Sequence, residues 1–306
     1  MTPRLEFAGL SRAAVATVVV ALAAIAAVPP ERGPASAPPP EITWEPERPA
    51  QGTLFRVRVR PDAGDGLTEV TGEAGGEVLH FTRVPNGAFE SLAPVPVDAE
   101  GQVDVTLRLL ASDGTAATRT VGVPVAPGAF RHEELTVAPE LGGPLSPERQ
   151  ARLDRDREKA REVSRLAGVT PRLWSAEMTL PRDARVTSGF GNGRIFNGQV
   201  SSRHLGLDLD GEPGDTVVAV TGGVVALVDD FLLAGNIVYL NHGAGLLSGY
   251  FHLSEPLVEE GDTVRAGTPV GRVGATGRVT GPHLHWVVRY GTTSVDPRSL
   301  IAVAGG

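Results

Sequence analysis

Three short motifs decide the fold and chemistry of the C-terminal half of the chain: His204-Leu-Gly-Leu-Asp208, Tyr250-Phe-His252-Leu253 and Gly281-Pro-His283-Leu-His285-Trp286. Five of the seven histidines lie between His204 and His285. A catalytic zinc typically takes three protein ligands and keeps a fourth position for water. This stretch therefore holds the ligand types of a metal site suited to hydrolysis.

The last motif is predicted to begin a β-strand. The sequence from Pro282 to Tyr290 is rich in β-branched and aromatic residues, as strands are. Residues two apart on a strand share a face and lie about 7 Å apart. His283 and His285 therefore share one face, so that one ring can bind a metal while the other reaches a water molecule or substrate beside it.

The first motif requires a bend. On a straight strand, His204 and Asp208 would lie about 13 Å apart, too far to bind one ion directly. We expect Gly206 to supply a bulge or a special backbone angle within a bent strand. A helix would also bring the two residues together, but the neighbouring glycines and the Val-rich run 215–220 favour β structure. The leucines of the motif alternate onto the predicted core side: Leu205, Leu207 and Leu209.

Other titratable residues receive a different interpretation. A histidine outside a motif is more often a hydrogen-bonded structural residue than a ligand, and this is our interpretation of His80, His132 and His242. The sequence Asn-His-Gly around His242 predicts a turn. Asp210 competes with Asp208 for the role of carboxylate ligand, and alternation along a strand does not choose between them.

The motif residues carry a resemblance to the lysostaphin/LytM-type zinc metallopeptidases. It covers about residues 180–300, and both signature motifs of that family stand intact and in order. The segments that carry it are Arg185-Val-Thr-Ser-Gly-Phe-Gly191, His204-Leu-Gly-Leu-Asp208, Gly249-Tyr-Phe-His252-Leu-Ser254 and Thr280-Gly-Pro-His283-Leu-His285-Trp286.

The resemblance implies a role for each motif residue. His204, Asp208 and His285 would ligate zinc, while His252 and His283 would act on the attacking water and the transition state. Members of the family cut peptide cross-links or stem peptides of bacterial peptidoglycan. Some relatives have lost ligands and only activate other hydrolases, but no ligand is missing here. The chain has no His-Glu-x-x-His motif, so histidine, with an ordinary pKa of about 6.5, is the predicted base.

An internal repeat supports β structure and raises a rival hypothesis. Residues 212–225 and 259–271 each contain a Gly-Asp turn followed by short Val-rich strands. Such units resemble biotinyl/lipoyl carrier domains, so a non-enzymatic carrier is the alternative of a different class. A carrier needs a lysine to modify, and the only lysine of the chain, Lys159, lies outside this region.

The N-terminus has the pattern of an export signal. Residues 13–28 are an unbroken run of Ala, Val, Leu, Ile and Thr, preceded by Arg4 and Arg12. The run is shorter than the ~20 residues that span a bilayer, and small residues before Ala27 offer a cleavage site. Residues 1–28 are therefore predicted to be a cleaved signal peptide. The alternative is a membrane anchor, which would give an inner-membrane association.

An N-terminal β domain is predicted to follow a Pro-rich linker at residues 29–40. Within residues 41–126, apolar and polar side chains alternate over 55–60 and 103–109, and Gly-containing turns separate these stretches. This pattern predicts an antiparallel Ig-like β-sandwich. It contains no catalytic set, and spacing, wall binding and inhibition all remain open as its role.

A helical connection is predicted to join the two domains. Residues 127–170 are interpreted as a linker with one helix, which starts with Ser146 as cap and Pro147 in the first turn and ends at Gly168. Its apolar stripe is thin and predicts a connector that packs on a neighbour: Leu153, Ala160, Val163 and Ala167. Residues 171–306 form the predicted metallopeptidase domain.

Composition limits the remaining function classes. A chain of 306 residues has room for two small domains, and its net charge of −8 argues against nucleic-acid binding. The absence of cysteine excludes a disulfide framework.

The sequence thus predicts a mainly β, exported endopeptidase that uses Zn²⁺ to cut peptidoglycan in the periplasm or cell envelope. The alternative is a zinc-binding but catalytically silent regulator of another cell-wall hydrolase.

Overall fold

The structure is a computed structural model that describes residues 40–62, 66–137, 144–175, 177–198 and 200–305. The predicted signal peptide and all but the last residue of the Pro-rich linker lie outside these residues. Within the described ranges, no helix is both long and apolar enough to cross a membrane. The described residues are mainly β-strand, as the sequence predicts.

The N-terminal β domain consists of two antiparallel sheets. They have the strand orders β1-β2-β6-β5 and β4-β3-β7-β8. Their strands are β1 (Glu41–Glu45), β2 (Leu54–Arg60), β3 (Leu67–Ala74), β4 (Glu77–Leu79), β5 (Thr82–Arg83), β6 (Phe89–Pro94), β7 (Gln102–Ala111) and β8 (Ala116–Pro124).

The core of this domain follows from the predicted alternation. Val57 and Val59 of β2 and Val105 and Leu107 of β7 are almost completely buried. If β4 is set aside as an extra strand and the others are lettered in chain order, the sheets read ABED and CFG, which is the order of immunoglobulin constant-type sandwiches. The Ig-like assignment rests on this strand order and stays a prediction.

The C-terminal domain is built around one large sheet whose strands differ in length. Its main path is β10-β13-β20-β17-β16-β15-β18, with β14, β19 and β21 paired at its sides, and a separate small sheet has the order β12-β11-β9. The strands are β9 (His132–Leu135), β10 (Val186–Ser188), β11 (Gly193–Phe196), β12 (Val200–Arg203), β13 (Leu207–Asp210), β14 (Thr216–Val218), β15 (Gly223–Phe231), β16 (Gly235–Gly243), β17 (Leu246–Pro256), β18 (Thr263–Val264), β19 (Pro269–Val273), β20 (His283–Tyr290) and β21 (Thr293–Val295).

The internal repeat is visible as two equivalent turns. In the first, Asp215 Oδ2 accepts a hydrogen bond of 2.8 Å from the backbone N–H of Glu212. In the second, Asp262 Oδ2 accepts one of 2.9 Å from the N–H of Glu259. The glycine before each aspartate has a φ above 90°, a backbone conformation that favours glycine. The Gly-Asp pairs are therefore turn residues, as predicted.

The predicted helix is present as α1 (Pro147–Val169), with Ser146 as its N-cap. Its buried face includes Ala160, Val163 and Ala167, which pack in one apolar cluster with Tyr239 and Phe251 of the large sheet. The helix is therefore a connector that covers the sheet, in agreement with the prediction. A second helix, α2 (Pro297–Ala304), follows β21.

The segment predicted as a linker also contains a strand. β9 pairs parallel with β11, and Glu133 lies opposite Arg194 in this register. This strand has only 4 residues, too few for an alternation of apolar and polar side chains to indicate it in the sequence. Residues 132–135 thus extend the small sheet of the C-terminal domain.

The two β domains share one continuous apolar core cluster. Polar contacts fix the same interface. The Tyr290 hydroxyl accepts a hydrogen bond of 3.1 Å from the N–H of His80. The Ser299 hydroxyl accepts one of 3.0 Å from the N–H of Leu54, and Glu77 Oε1 accepts one of 2.9 Å from the N–H of Thr292. The interface therefore involves β20, the turn that follows it and α2 of the C-terminal domain.

The domain boundary at Pro171 stays a prediction that two shortened chains test. We expect a chain beginning at Pro171 to fold and to bind one metal ion, but to melt at least about 5 °C below a chain beginning at Ala126, because it loses β9 and the apolar face of α1. Calorimetry and metal analysis measure both quantities. An unfolded shorter chain would contradict the boundary, and equal melting temperatures would contradict the stabilising role of β9 and α1.

Candidate metal centre

The pairing of β13 with β20 places two of the predicted ligands side by side. Asp208 lies opposite His285 in this antiparallel register, and His204 lies just before β13. His204 Nε2 is 3.0 Å from Asp208 Oδ1 and 2.9 Å from His285 Nδ1. His285 Nδ1 is 2.7 Å from the same carboxylate oxygen. The three side chains thus form a group that could hold one metal ion.

The predicted bent strand between His204 and Asp208 is wrong. β12 ends at Arg203 in the small sheet, and β13 begins at Leu207 in the large sheet. The chain changes sheets between these strands, and this brings the two side chains together. Leu205, which was predicted to face the core, is 41% exposed because it lies in the connecting segment.

Gly206 is required for space rather than for a special backbone angle. Its φ does not lie in the left-handed region. A Cβ atom at this position would lie 2.6 Å from Cε1 of His285 and 2.8 Å from the carbonyl oxygen of Trp286, both too close. The missing side chain therefore allows the ring of His285 to lie against the connecting segment.

Backbone carbonyls fix the protonated nitrogen of three histidines. A carbonyl oxygen only accepts hydrogen bonds, so the ring nitrogen that faces it must donate. His204 Nδ1 donates to Gly189 O at 2.8 Å. His252 Nδ1 donates to Thr276 O at 2.8 Å, and His283 Nδ1 donates to Gly281 O at 2.8 Å. In the neutral rings, each Nε2 consequently carries a lone pair that can accept a proton or bind a metal.

The second oxygen of Asp208 is held by a network that sequence analysis missed. Arg194 on β11 contacts Asp208 Oδ2 through Nη2. Its Nε donates to Glu133 on β9 at 3.1 Å, and Glu133 also accepts hydrogen bonds from Ser188 and Asn192 at 2.8 and 2.7 Å. Glu133 lies 61 residues before Arg194 and outside any motif, so only the pairing of β9 with β11 reveals its role.

His252 lies at a β-bulge in β17. Between the pairs Val238↔Tyr250 and Asn236↔Leu253, β17 has one residue more than β16. His252 has a φ of 62°, an uncommon value for a residue with a side chain. Bulges redirect side chains beside active sites. The bulge brings the ring of His252 to 5.0 Å from that of His283 and 5.7 Å from that of His285, measured between ring centres.

Burial lowers the pKa of two of the site histidines, His285 and His252. It lowers the pKa of His285 to about 4, although Asp208 opposes this shift. Burial, and then the charges of His285 and His283, hold the pKa of His252 well below its ordinary value. Burial alone would raise the pKa of Asp208, but the short contacts with His204 and His285 outweigh it and the pKa falls well below its usual range. At neutral pH, His285 therefore offers a lone pair and Asp208 a negative charge, as a metal cation requires.

Two recesses of about 260 and 220 Å³ flank this group. Four residues line both recesses and form the wall between them: Arg194, Phe196, His252 and Arg278. Asp208 and His283 line the larger recess, and His204 and His285 line the smaller one. None of the described residues of the N-terminal β domain lines either recess.

The other residues considered from the sequence lie outside the group. Asp210 is paired with Arg185 at 3.0 Å and is half exposed, so Asp208 is the carboxylate that the fold brings to the histidines. The predicted turn at His242 is wrong. His242 lies at the end of β16 and is completely buried, with Nδ1 donating to Gly222 O at 2.7 Å. His80 packs against Tyr290, and His132 is exposed on β9.

Comparison with known proteins agrees with the geometry. Residues 202–297 match the model of Peptidase family M23. The family resemblance stated for residues 180–300 is thus confirmed over most of its length. The match covers the three grouped residues together with His252 and His283.

Two similar proteins come from Vibrio cholerae. Peptidoglycan DD-endopeptidase ShyC is 36% identical over 118 residues, which are 38% of this chain and 27% of ShyC. Peptidoglycan DD-endopeptidase ShyA is 39% identical over 105 residues, 33% of this chain and 24% of ShyA. The matching region thus spans about a quarter of each relative.

A solved structure extends the likeness beyond this region. The crystal structure of a Pseudomonas aeruginosa protein described as a peptidase M23 has a TM-score of 0.63 and 25% identity, and the alignment covers 85% of this chain and 96% of that protein. The fold similarity therefore includes much of the chain before residue 202.

The network around Glu133 predicts a change in metal affinity. We expect Glu133→Gln to weaken metal binding about 10- to 100-fold, because Arg194 would lose the anchor that orients Asp208. Competition with a coloured chelator measures this affinity. Glu134→Gln is the matched control, since Glu134 is the exposed neighbour on the same strand. Equal affinities in the two variants would show that Glu133 does not act on the site.

Proposed function

We propose that this protein is a zinc-dependent endopeptidase that hydrolyses peptide bonds in bacterial peptidoglycan cross-links or stem peptides. The observation that carries the proposal is the convergence of His204, Asp208 and His285 beside two further histidines, at the cleft that the two recesses form. The names of the V. cholerae relatives support peptidoglycan as the substrate. We further propose that the protein is exported and acts in the periplasm or cell envelope.

The donor set fits zinc. Two imidazole nitrogens and one carboxylate oxygen are typical ligands of a catalytic zinc, and three protein ligands leave a position for water or substrate. The carbonyl that holds His204 and the arginine that holds Asp208 are the kind of supporting contacts that orient ligands. When bound, zinc supplies a Lewis acid that polarises a carbonyl group and makes water more acidic.

The remaining histidines supply proton transfer. His252 and His283 each have Nδ1 fixed on a carbonyl, so in the neutral ring Nε2 can accept the proton of the attacking water. The proton then passes to the leaving amine nitrogen when the tetrahedral intermediate collapses. The other ring, when protonated on Nε2, would donate through that nitrogen and stabilise the negative oxygen of the intermediate. This division of labour requires that neither ring ligates the metal.

A zinc-binding protein without catalysis is the alternative function. No position of the His/Asp/His group or of the histidine pair is replaced in this chain, so the sequence favours an enzyme. Incubation with cross-linked peptidoglycan, followed by mass analysis of the released ends, separates the two functions. New amine and carboxyl ends that disappear after chelation support the enzyme, whereas intact peptidoglycan from every wall type supports the regulator.

Substitution of the histidine pair separates metal binding from chemistry. We expect His252→Ala and His283→Ala to keep zinc and their melting temperature while hydrolysis slows about 10²- to 10⁴-fold, since a positioned acid/base group has this effect. Zinc content, melting temperature and rate are measured on the same preparations. His132→Ala, an exposed histidine on β9, is the control. Loss of zinc from either variant would make that histidine a ligand, and an unchanged rate would make it structural.

A further inference from the structure

Arg278 lies in the wall between the two recesses, with no hydrogen-bond or ion-pair partner for its side chain among the described residues. It lies in the segment between β19 and β20, and its backbone N–H donates to Leu233 O at 2.8 Å. Its side chain lines both recesses together with His252. In the described part of the chain, its guanidinium group contacts no carboxylate and donates no hydrogen bond. This differs from Arg194, the other arginine of the wall, which contacts both Asp208 and Glu133.

In the free protein, the surroundings of Arg278 destabilise the positive charge of its guanidinium group. Arg278 is mostly buried, and burial lowers the pKa of its guanidinium group, with the positive charge of Arg194 lowering it further. A buried cation is stabilised by an opposite charge and by acceptors for its N–H groups. A negatively charged ligand in the cleft would supply both. The position of Arg278 therefore favours binding of an anion.

The stacking of Arg278 leaves its donors available. The guanidinium carbon lies 3.9 Å from the ring centre of Phe196, a buried residue of β11. Such stacking uses the face of the guanidinium group and stabilises the cation. The N–H donors lie in the plane of the group, where they match the two oxygens of a carboxylate. Phe196 thus orients the group while its hydrogen-bonding edge stays free.

The neighbours of Arg278 identify the anion as part of a substrate. His252 and His283 line the larger recess with Arg278, so a group bound there lies close to the reacting atoms. A peptide substrate offers a carboxylate in two ways. One is a free carboxylate on a residue next to the scissile bond, and the other is the carboxylate at the end of the peptide chain.

We propose that Arg278 binds a free carboxylate of the peptide substrate beside the scissile bond, and that the enzyme thereby selects carboxylated over amidated peptides. The inference rests on the proposed endopeptidase function and adds a specificity residue to it. The pair of Phe196 and Arg278 would form the recognition element, and the histidine pair would act on the neighbouring peptide bond.

Four synthetic cross-linked peptides test the proposal on the zinc-loaded full chain. They carry either a carboxylate or a carboxamide next to the scissile bond, and either a carboxylate or a carboxamide at the C-terminus. We expect wild type to prefer one of the carboxylates about 10- to 100-fold in kcat/KM, as loss of a charge-assisted hydrogen-bond partner predicts. The position that gives the preference identifies the source of the carboxylate.

Variants assign that preference to Arg278. We expect R278Q to reduce the preference to less than about threefold and R278K to retain an intermediate part, because lysine keeps the charge but lacks the planar pair of donors. R265Q removes the same charge from an exposed site outside both recesses and should keep the full preference. The ratio of kcat/KM between two peptides does not change when a variant loses activity on both equally. A melting temperature is recorded for each variant to check that it is folded.

The outcomes distinguish this proposal from the proposed function. A preference that persists in R278Q, or an equal loss of rate on carboxylated and amidated peptides, would overturn the role of Arg278. If wild type hydrolyses none of the peptides, the endopeptidase proposal fails, and dissociation constants of the same peptides decide about Arg278. A carboxylate preference in binding that R278Q abolishes would support it, and the absence of binding or of a preference would refute it.

Discussion

The antiparallel register between β13 and β20 is the constraint on which the site depends. It sets Asp208 opposite His285, and it sets Asp210 opposite His283. Because strand side chains alternate between faces, a shift by one residue would exchange the polar and apolar faces. Leu209, Leu284 and Trp286 are fully buried and make such a shift costly. The apolar core below the sheet therefore fixes the geometry of the polar group above it.

The polar group is stabilised by contacts from three separate parts of the chain. The small sheet contributes Arg194 and, through β9, Glu133. The segment before β11 contributes the Gly189 carbonyl that orients His204. The bulge in β17 contributes His252. Burial would otherwise destabilise the charge of Asp208, and the contacts around it stabilise the charged form that a cation would bind.

Sequence reasoning identified residues that belong to local patterns. The strand at His283, the helix cap at Ser146 and the Gly-Asp turns follow from spacing and residue type, and the structure contains all three. This reasoning failed at Leu205, because a change of sheet between two strands does not alter the alternation of apolar and polar residues. Glu133, Arg194 and Arg278 were missed for a related reason: their partners lie far away in the chain or, for Arg278, are proposed to lie in the substrate.

The central claim is that one zinc ion is held by His204, Asp208 and His285. Anomalous diffraction at the zinc absorption edge, from crystals of the full chain, tests it most directly. The account predicts one strong peak at about 2.0–2.2 Å from His204 Nε2, a carboxylate oxygen of Asp208 and His285 Nδ1, with His252 and His283 outside that distance. A peak that is ligated by either of these two histidines, or no peak at this group in zinc-replete crystals, would contradict the account.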